Sequence, residues 1–193
     1  MRDVLRAFIA IEMPNEIRDA IGAISRQLRR AGADARWVKP GNIHLTLRFL
    51  GNDVPRETVE AIGDALHNRL RVVEQFTITI QGLGAFPNTT RPRVVWLGVE
   101  PHDGPILELH EAAENAVAEA GWTREDRPFA AHLTLGRVRS QSSTAKLQRL
   151  LAEGLDRPVG SVVVDKVSLI RSNLTASGPV YETLRTVTLR PRA

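Results

Sequence analysis

The tetrapeptide His-Leu-Thr-Leu occurs twice in this chain of 193 residues, once from His44 and once from His132. Each copy places a histidine and a threonine two positions apart within an apolar run. Because residues i and i+2 of a β-strand point to the same face, we expect each histidine to share a face with its threonine, Thr46 or Thr134. One copy alone would be typical of an amphipathic strand with a surface histidine. Two copies that share both leucines favour a functional pair.

Two imidazoles and two hydroxyls are the groups required for acid–base chemistry on a phosphate ester. Opening a cyclic phosphate needs a base that takes a proton from water and an acid that protonates the leaving alkoxide. Histidine, with an ordinary pKa of about 6.5, can serve as either near neutral pH. The non-bridging oxygens gain charge in the transition state, and hydroxyl donors can stabilise that charge. The motifs therefore predict His44 and His132 as the acid–base pair, with Thr46 and Thr134 binding the phosphate.

Three further residues are candidates for contacts with a substrate. Arg48 follows Thr46 by two positions and would share its face, so it could clamp a phosphate; an arginine exposed at a strand end is the alternative. Phe8 and Trp37 could stack on a base, although single aromatic residues near strands are more often part of a core.

The same alternation predicts the apolar face of each motif strand. The motif leucines should face a core, together with Ile43 and Phe49. In the second copy Gly136 takes the place of Arg48 and would leave room for a nucleotide. Arg137 takes the place of Phe49, an expected core position, and only a bulge or a strand end would explain it.

A metal site is the main alternative use of two histidines. Zinc usually requires a third or fourth ligand, but neither motif carries a carboxylate and the chain has no cysteine. We therefore expect neither a metal nor another cofactor. The sequence also lacks the G-x-S-x-G signature of serine hydrolases and the phosphate loop of ATP-driven enzymes. The other histidines have no partner at catalytic spacing and are expected at the surface: His67, His102 and His110.

Arginine dominates the basic residues, since only three of the 26 are lysine. Guanidinium groups bind phosphate oxygens in pairs more readily than ammonium groups do, although a GC-rich genome would also enrich arginine. A net charge of +4 permits a nucleic-acid partner without requiring one. A non-catalytic RNA-binding module is therefore a second hypothesis, but it does not explain two histidines in matched positions.

Composition places the chain among ordinary globular proteins, with 42% apolar and 25% charged residues. The first twelve residues contain an apolar run of only five, from Ala7 to Ile11. That run is too short for a secretion signal or a membrane span. We expect a cytoplasmic monomer with no membrane partner.

Periodicity divides the chain into two similar halves separated by a turn-rich linker. Each half is predicted to contain a strand, a helix, a motif strand, a second helix and a further strand. The predicted strands include one from Val162 to Ile170 and a last one from Val180 to Leu189, which would complete a sheet. We expect one bilobal domain over 1–193, with the halves at about 1–83 and 94–193 and the linker at 84–93.

Strands and helices mix without strict β-α-β alternation, which favours antiparallel over parallel pairing. We therefore predict an α+β fold built by pseudo-twofold duplication. Each lobe would be a mainly antiparallel sheet with helices on its outer face. The outward faces of the two motif strands would line a central cleft, where His44 and His132 meet.

Several segments resemble the bacterial and archaeal RNA 2′,3′-cyclic phosphodiesterases, also called 2′-5′ RNA ligases, of the two-histidine phosphoesterase superfamily. The resemblance spans nearly the whole chain. Its paired motifs are typical of the superfamily, and the linker and C-terminal pieces narrow it to this family. Ala131 stands where the family often has proline. The segments are RAFIAIE (6–12), HLTLRFLG (44–51), GAFPNTTRPRVVWLGV (84–99), PFAAHLTLGR (128–137) and LIRSNLTASGPVYETL (169–184).

The resemblance implies metal-free hydrolysis of an RNA 2′,3′-cyclic phosphate end to a 2′-phosphomonoester, and the second name of the family adds a reversible 2′-5′ ligation of RNA. It also implies that His44 donates a proton to the leaving 3′ oxygen and that His132 accepts the proton of the attacking water. The symmetry of the motifs means that the residues alone do not separate these two roles.

Overall fold

A computed structural model describes residues 3–155 and 157–192 of the chain. Nine strands and four helices alternate irregularly along these residues, with one short 3-10 turn at Pro40–Asn42. In chain order the elements are β1 (Val4–Glu12), α1 (Asn15–Arg29), β2 (Ala35–Trp37), β3 (His44–Pro55), α2 (Arg56–Leu70), β4 (Phe76–Phe86), β5 (Val94–Glu100), α3 (Pro105–Glu119), β6 (His132–Val138), α4 (Ala145–Glu153), β7 (Gly160–Val164), β8 (Lys166–Thr175) and β9 (Gly178–Thr188).

The strands form one antiparallel sheet in the order β7-β4-β5-β6-β3-β1-β8-β9, with β2 beside β6. At its centre β3 and β6 pair only through Leu45 and Leu133, which are equivalent residues of the two motifs. Equivalent residues that face each other mark a twofold relation. The predicted α+β fold, with two pseudo-twofold lobes, a central cleft and helices on the outer face, is confirmed.

The two lobes exchange strands. β4, which precedes the linker, pairs with β5 and β7 in the lobe of the second motif. β8 and β9, from the end of the chain, join β1 in the lobe of the first motif. The predicted single strand from Val162 to Ile170 is therefore wrong, because the chain leaves one lobe at β7 and enters the other at β8.

Both motif strands contain a β-bulge at the same position. Ala10 and Ile9 of β1 pair with Thr46 and Arg48, which leaves Leu47 without a partner. On β5, Trp96 pairs with Thr134 and Val95 with Gly136, which leaves Leu135 without a partner. A bulge adds one residue to a strand and so reverses which residues face each side from that point onward.

The bulges correct the expected alternation. Arg48 faces the core with only 8% of its surface exposed, whereas Phe49 is 38% exposed and lies under the guanidinium of Arg6. The expectations that Phe49 is a core residue and that Arg48 shares the face of His44 are therefore wrong. In β6 the same shift buries Gly136 and exposes Arg137, so the bulge offered as an explanation for Arg137 is present.

The core lies between the sheet and the helices. The motif leucines and Ile43 are buried there, as expected, together with the apolar faces of α1, α2 and α3. This core fixes both motif strands and leaves their histidines on the opposite face. No helix within the described ranges is both long and apolar enough to cross a membrane.

Candidate active site

His44 begins β3 and is held by contacts on three sides. Its Nδ1 atom lies 2.8 Å from the carbonyl oxygen of Asn42, in the 3-10 turn before the strand. Its ring stacks on Phe8 with centroids 4.6 Å apart, and the ring of Tyr181 meets it edge-on at 5.4 Å. Packing against two rings limits the rotation of the imidazole.

His132 begins β6 in an equivalent setting. Its Nδ1 atom lies 2.7 Å from the carbonyl oxygen of Ala130, again two residues earlier in the chain. The ring of Phe86, at the end of β4, meets it edge-on with centroids 5.1 Å apart. The two motifs thus hold their imidazoles by the same backbone contact on neighbouring strands.

The carbonyl contacts determine the tautomer of both histidines. A carbonyl oxygen only accepts hydrogen bonds, so Nδ1 must be the donor in each ring. The Nε2 atom is then the one that carries a lone pair in the neutral ring and an N–H in the cation. Each histidine can therefore accept or donate a proton at Nε2.

Burial lowers the pKa of both histidines below its ordinary value, but their neighbouring charges differ. For His44 the carbonyl of Asn42 and the carboxylate of Glu12 act against burial and raise the pKa, while Arg18 lowers it. For His132 the carbonyl of Ala130 raises the pKa, and the charge of Arg137 lowers it further. The symmetry of the motifs is therefore broken by charge.

Glu12 is a carboxylate that the motifs did not reveal. It lies directly opposite His44 on β1. Its Oε2 atom accepts a 2.9 Å hydrogen bond from the hydroxyl of buried Ser168, and its Oε1 atom lies 3.8 Å from Arg18. Gly98 occupies the equivalent place opposite His132. Only the pairing register of β1 and β3 brings Glu12 to His44, and the sequence does not reveal that register.

The two threonines lie where the motifs predict, on the face of the histidines. Thr46 pairs with Ala10 and Thr134 with Trp96, before the bulge in each strand. Both are half-buried. Continued by one residue from the Leu45–Leu133 pair, antiparallel pairing would set each threonine opposite the histidine of the other motif.

Arg48 is neither exposed at a strand end nor placed to clamp a phosphate. Its Nε atom lies 3.1 Å from Glu114, its Nη1 atom 3.2 Å from Glu125, and its Nη2 atom donates to the carbonyl of Thr123 at 2.6 Å. These contacts lie on the core side of the sheet. Arg48 therefore ties β3 to the loop that leads from α3 towards the second motif.

The two aromatic residues that were candidates for stacking on a base, Phe8 and Trp37, are packed against other residues instead. Phe8 is 4% exposed and uses its ring to support His44, so it offers no free face to a base. Trp37 packs over Gly136, where an added Cβ would come within 2.7 Å of the indole. The space at Gly136 therefore holds an indole, and the expectation of room for a nucleotide there is wrong.

His110, expected at the surface, is half-buried. Its Nδ1 atom lies 3.1 Å from the carbonyl of Leu47, the unpaired residue of the first bulge, and its ring stacks on Phe129 at 4.1 Å. A bulge interrupts the ladder of hydrogen bonds, so its carbonyl needs another donor. The site also includes Arg137, Tyr181 and Phe86, none of which the motifs identified as a contact.

Known proteins are similar to this chain over nearly its whole length. A model of the LigT-like phosphoesterase family matches the chain twice, at residues 11–96 and 97–181. A protein of Methanothermobacter thermautotrophicus named RNA 2′,3′-cyclic phosphodiesterase is 38% identical over 177 residues, which cover 92% of this chain and 95% of that protein. A protein of the same name from Thermotoga maritima is 36% identical over 180 residues, 93% of each chain.

Solved structures give the same result at the level of the fold. The crystal structure of the Thermus thermophilus protein TT0787 has a TM-score of 0.78 and 29% identity, and the match covers 97% of this chain and 100% of that one. The structure of E. coli LigT complexed with 3′-AMP has a TM-score of 0.77 and 27% identity, with 97% and 99% covered. The two successive family matches also agree with the duplicated fold. The chain therefore belongs to the LigT-like phosphoesterase family.

Proposed function

We propose that this chain hydrolyses the 2′,3′-cyclic phosphate at the end of an RNA and leaves a 2′-phosphomonoester. The observation that carries the proposal is the matched pair of imidazoles, each with Nδ1 on a carbonyl two residues earlier and Nε2 available for proton transfer. The curated relatives that carry the name RNA 2′,3′-cyclic phosphodiesterase support the substrate class.

The proposed reaction is an in-line displacement at phosphorus. His132 accepts a proton from water at Nε2 as the water oxygen forms a bond to phosphorus. The bond from phosphorus to the 3′ oxygen breaks, and the protonated Nε2 of His44 donates its proton to that oxygen. Water is consumed, and the product carries a 2′-phosphate and a free 3′-hydroxyl.

Charge supports this assignment of roles. Glu12 favours the protonated form of His44, as an acid requires. Arg137 favours the neutral form of His132, as a base requires. A 2′-5′ ligation would use the same groups in the same roles, with the 5′-hydroxyl of a second RNA in place of water, and cleavage of a 2′-5′ linkage would exchange the roles.

Three groups are proposed to bind the non-bridging phosphate oxygens. Thr46 and Thr134 share the face of the histidines, and their hydroxyls can donate to the oxygens that gain charge. Arg137 is exposed on the same face because of the bulge at Leu135, and its charge lowers the pKa of His132. A guanidinium there would offset the charge of the phosphate.

The proposal includes metal independence. Catalytic zinc is usually held by three protein ligands, and in the part of the chain that the structure describes no three His, Asp or Glu side chains are grouped to hold a metal ion. Imidazole general acid–base chemistry requires no Lewis acid at the phosphate.

The test is incubation with a nucleoside 2′,3′-cyclic phosphate before and after exhaustive chelation, with the products separated by chromatography. We expect the 2′-phosphate as product and no effect of the chelator. A 3′-phosphate product would overturn the proposed acid and base. Loss of activity that one added metal restores would make the chain a metal-dependent phosphoesterase. Salt-dependent RNA binding without turnover would make it a binding module.

A further inference from the structure

The segment that joins β4 to β5, residues 87–93, borders a pocket that lies outside the cleft of the two histidines. The pocket has a volume of about 420 Å³ and is lined by Pro87, Arg91, Arg93 and Gln141. The Oδ1 atom of Asn88 accepts the backbone N–H of Arg91 at 2.9 Å, and the amide of Gln141 donates to the carbonyl of Pro92 at 2.8 Å. These contacts fix the backbone on both sides of the arginines.

The charge of this pocket is not balanced. Within residues 3–155 and 157–192, neither Arg91 nor Arg93 has a carboxylate at ion-pair distance. Some arginines on other surfaces do have one, such as Arg69 with Glu119 at 2.6 Å. Two guanidiniums around one pocket repel each other, and a phosphate that both contact would offset that repulsion.

The pocket adjoins the proposed active site. Phe86, whose ring contacts His132, is the last residue of β4, and its carbonyl accepts the N–H of Arg93 at 2.8 Å. The carbonyl of Arg93 accepts the N–H of Val138 at 2.9 Å, one residue after Arg137. The pocket therefore borders the ends of β4 and β6, the two strands that carry Phe86 and Arg137.

Arg36 adds to the positive charge at the same end of the cleft. It lies directly opposite Arg137 on β2, and both are exposed. Like charges directly opposite each other on neighbouring strands are destabilising. A guanidinium nitrogen of Arg36 also lies close to Gly178 in the other lobe. It is 3.4 Å from the position that a Cβ atom at residue 178 would take. A polyanion across these arginines would relieve the repulsion.

We propose that the Arg91–Arg93 pocket binds a backbone phosphate of an RNA strand whose cyclic end lies between His44 and His132. The proposal rests on the proposed function and adds the place where the RNA strand next to the cyclic end is held. A cyclic mononucleotide has only the reacting phosphate and cannot occupy both sites. An RNA strand carries a phosphate at every nucleotide and can occupy both.

The kinetic test compares two substrates with the double variant Arg91→Gln/Arg93→Gln. One substrate is a nucleoside 2′,3′-cyclic phosphate, and the other is an RNA of about ten nucleotides with the same cyclic end. We expect kcat/KM for the oligonucleotide to fall at least about tenfold, mainly through KM, because phosphate contacts are lost. The mononucleotide should be unaffected. Arg71→Gln, an exposed arginine at the end of α2, is the control and should change neither.

If kcat/KM for the oligonucleotide is unchanged in the double variant, the pocket is not a phosphate site. An equal loss of kcat/KM for both substrates would also contradict the proposal. Binding of a labelled oligonucleotide at several salt concentrations separates this result from failure of the proposed function. Even if neither substrate is turned over, the double variant should bind more weakly, with a salt slope smaller by about 0.7 per lost contact. Equal binding and equal slopes would contradict the pocket proposal alone.

Discussion

The two histidines are held alike and surrounded differently. Their Nδ1 atoms have the same partner, a carbonyl two residues earlier, so their tautomers are the same. Their neighbours are not: Glu12 lies opposite His44, and Arg137 lies near His132. At the scale of single residues the proposed mechanism therefore depends on two charges outside the repeated tetrapeptides.

Neutralising Glu12 and neutralising Arg137 should each shift a different limb of the pH–rate profile. Activity falls at high pH as His44 loses its proton, and Glu12→Gln, which lowers the pKa of His44, should move that limb to lower pH. Activity falls at low pH as His132 gains a proton, and Arg137→Gln should raise the pKa of His132 and move that limb to higher pH. The measurement is kcat/KM for a cyclic mononucleotide against pH. If the limbs stay fixed, these charges do not separate the roles.

Replacing either motif histidine by alanine should reduce kcat at least about 100-fold while the fold is kept, because each supplies one proton transfer. Far-UV circular dichroism checks the fold. His67→Ala removes an exposed histidine from α2 and should leave kcat unchanged. A single motif variant with near-normal turnover would show that the pair is not the acid and base.

Among the elements, the two motif strands matter most, and their bulges decide which side chains reach the cleft. Periodicity predicts the helices and most strands, because apolar spacing records which face meets the core. It does not predict a bulge, since the extra residue depends on the partner strand and on local twist. That is why regular alternation places Arg48 and Phe49 on the wrong faces and leaves Arg137 without an explanation.

Because of the bulge in β6, a side chain in place of Gly136 should destabilise the folded protein. Gly136→Ala would bring a Cβ within 2.7 Å of Trp37, so the indole or the strand must shift. We expect a loss of about 1–3 kcal/mol in the free energy of unfolding, measured with denaturant. Gly41→Ala is the control, because nothing lies within 4 Å of its added Cβ. Equal stability of the two variants would contradict the close contact.

For the whole molecule, the exchanged strands and one buried ion pair join the two halves of the chain. The sequence predicts two similar halves and a cleft, but not that β4 and β8 each pair with the other half. Such long-range pairing depends on which edges meet in space, and single-strand patterns contain no record of it. The Arg48–Glu114 pair adds a second link that the motifs do not predict, from β3 to α3.

Breaking that pair on one side should destabilise the chain strongly. Arg48→Met leaves the carboxylate of Glu114, 2% exposed, without its cation, which typically costs about 3–5 kcal/mol of unfolding free energy. Arg48→Met/Glu114→Leu removes both charges and should recover most of the loss. Denaturant unfolding of the two variants measures this. A double variant as unstable as the single one would show that the charge of Glu114 is not the cause.

Stability should also fall as the solution becomes acidic. Burial lowers the pKa of His44 and His132 in the folded state, so the unfolded chain binds more protons below its ordinary histidine pKa of about 6.5. Stability from this source is complete above that pH and decreases as pH falls towards the folded values. Unfolding free energies of the wild type and His132→Gln, compared at about pH 7.5 and 5.5, should show a weaker pH dependence in the variant. The same slope in both would contradict the shift at His132.

The strand exchange also has a consequence for folding during synthesis on the ribosome. Chains emerge with their N-terminal end first, and N-terminal domains usually fold before the rest has been made. Here β1 emerges well before one of its two neighbours, β8, because six other strands lie between them in the chain. The first lobe therefore keeps one edge of β1 unpaired until β8 emerges, whereas the last strand of the second lobe, β7, emerges before β8.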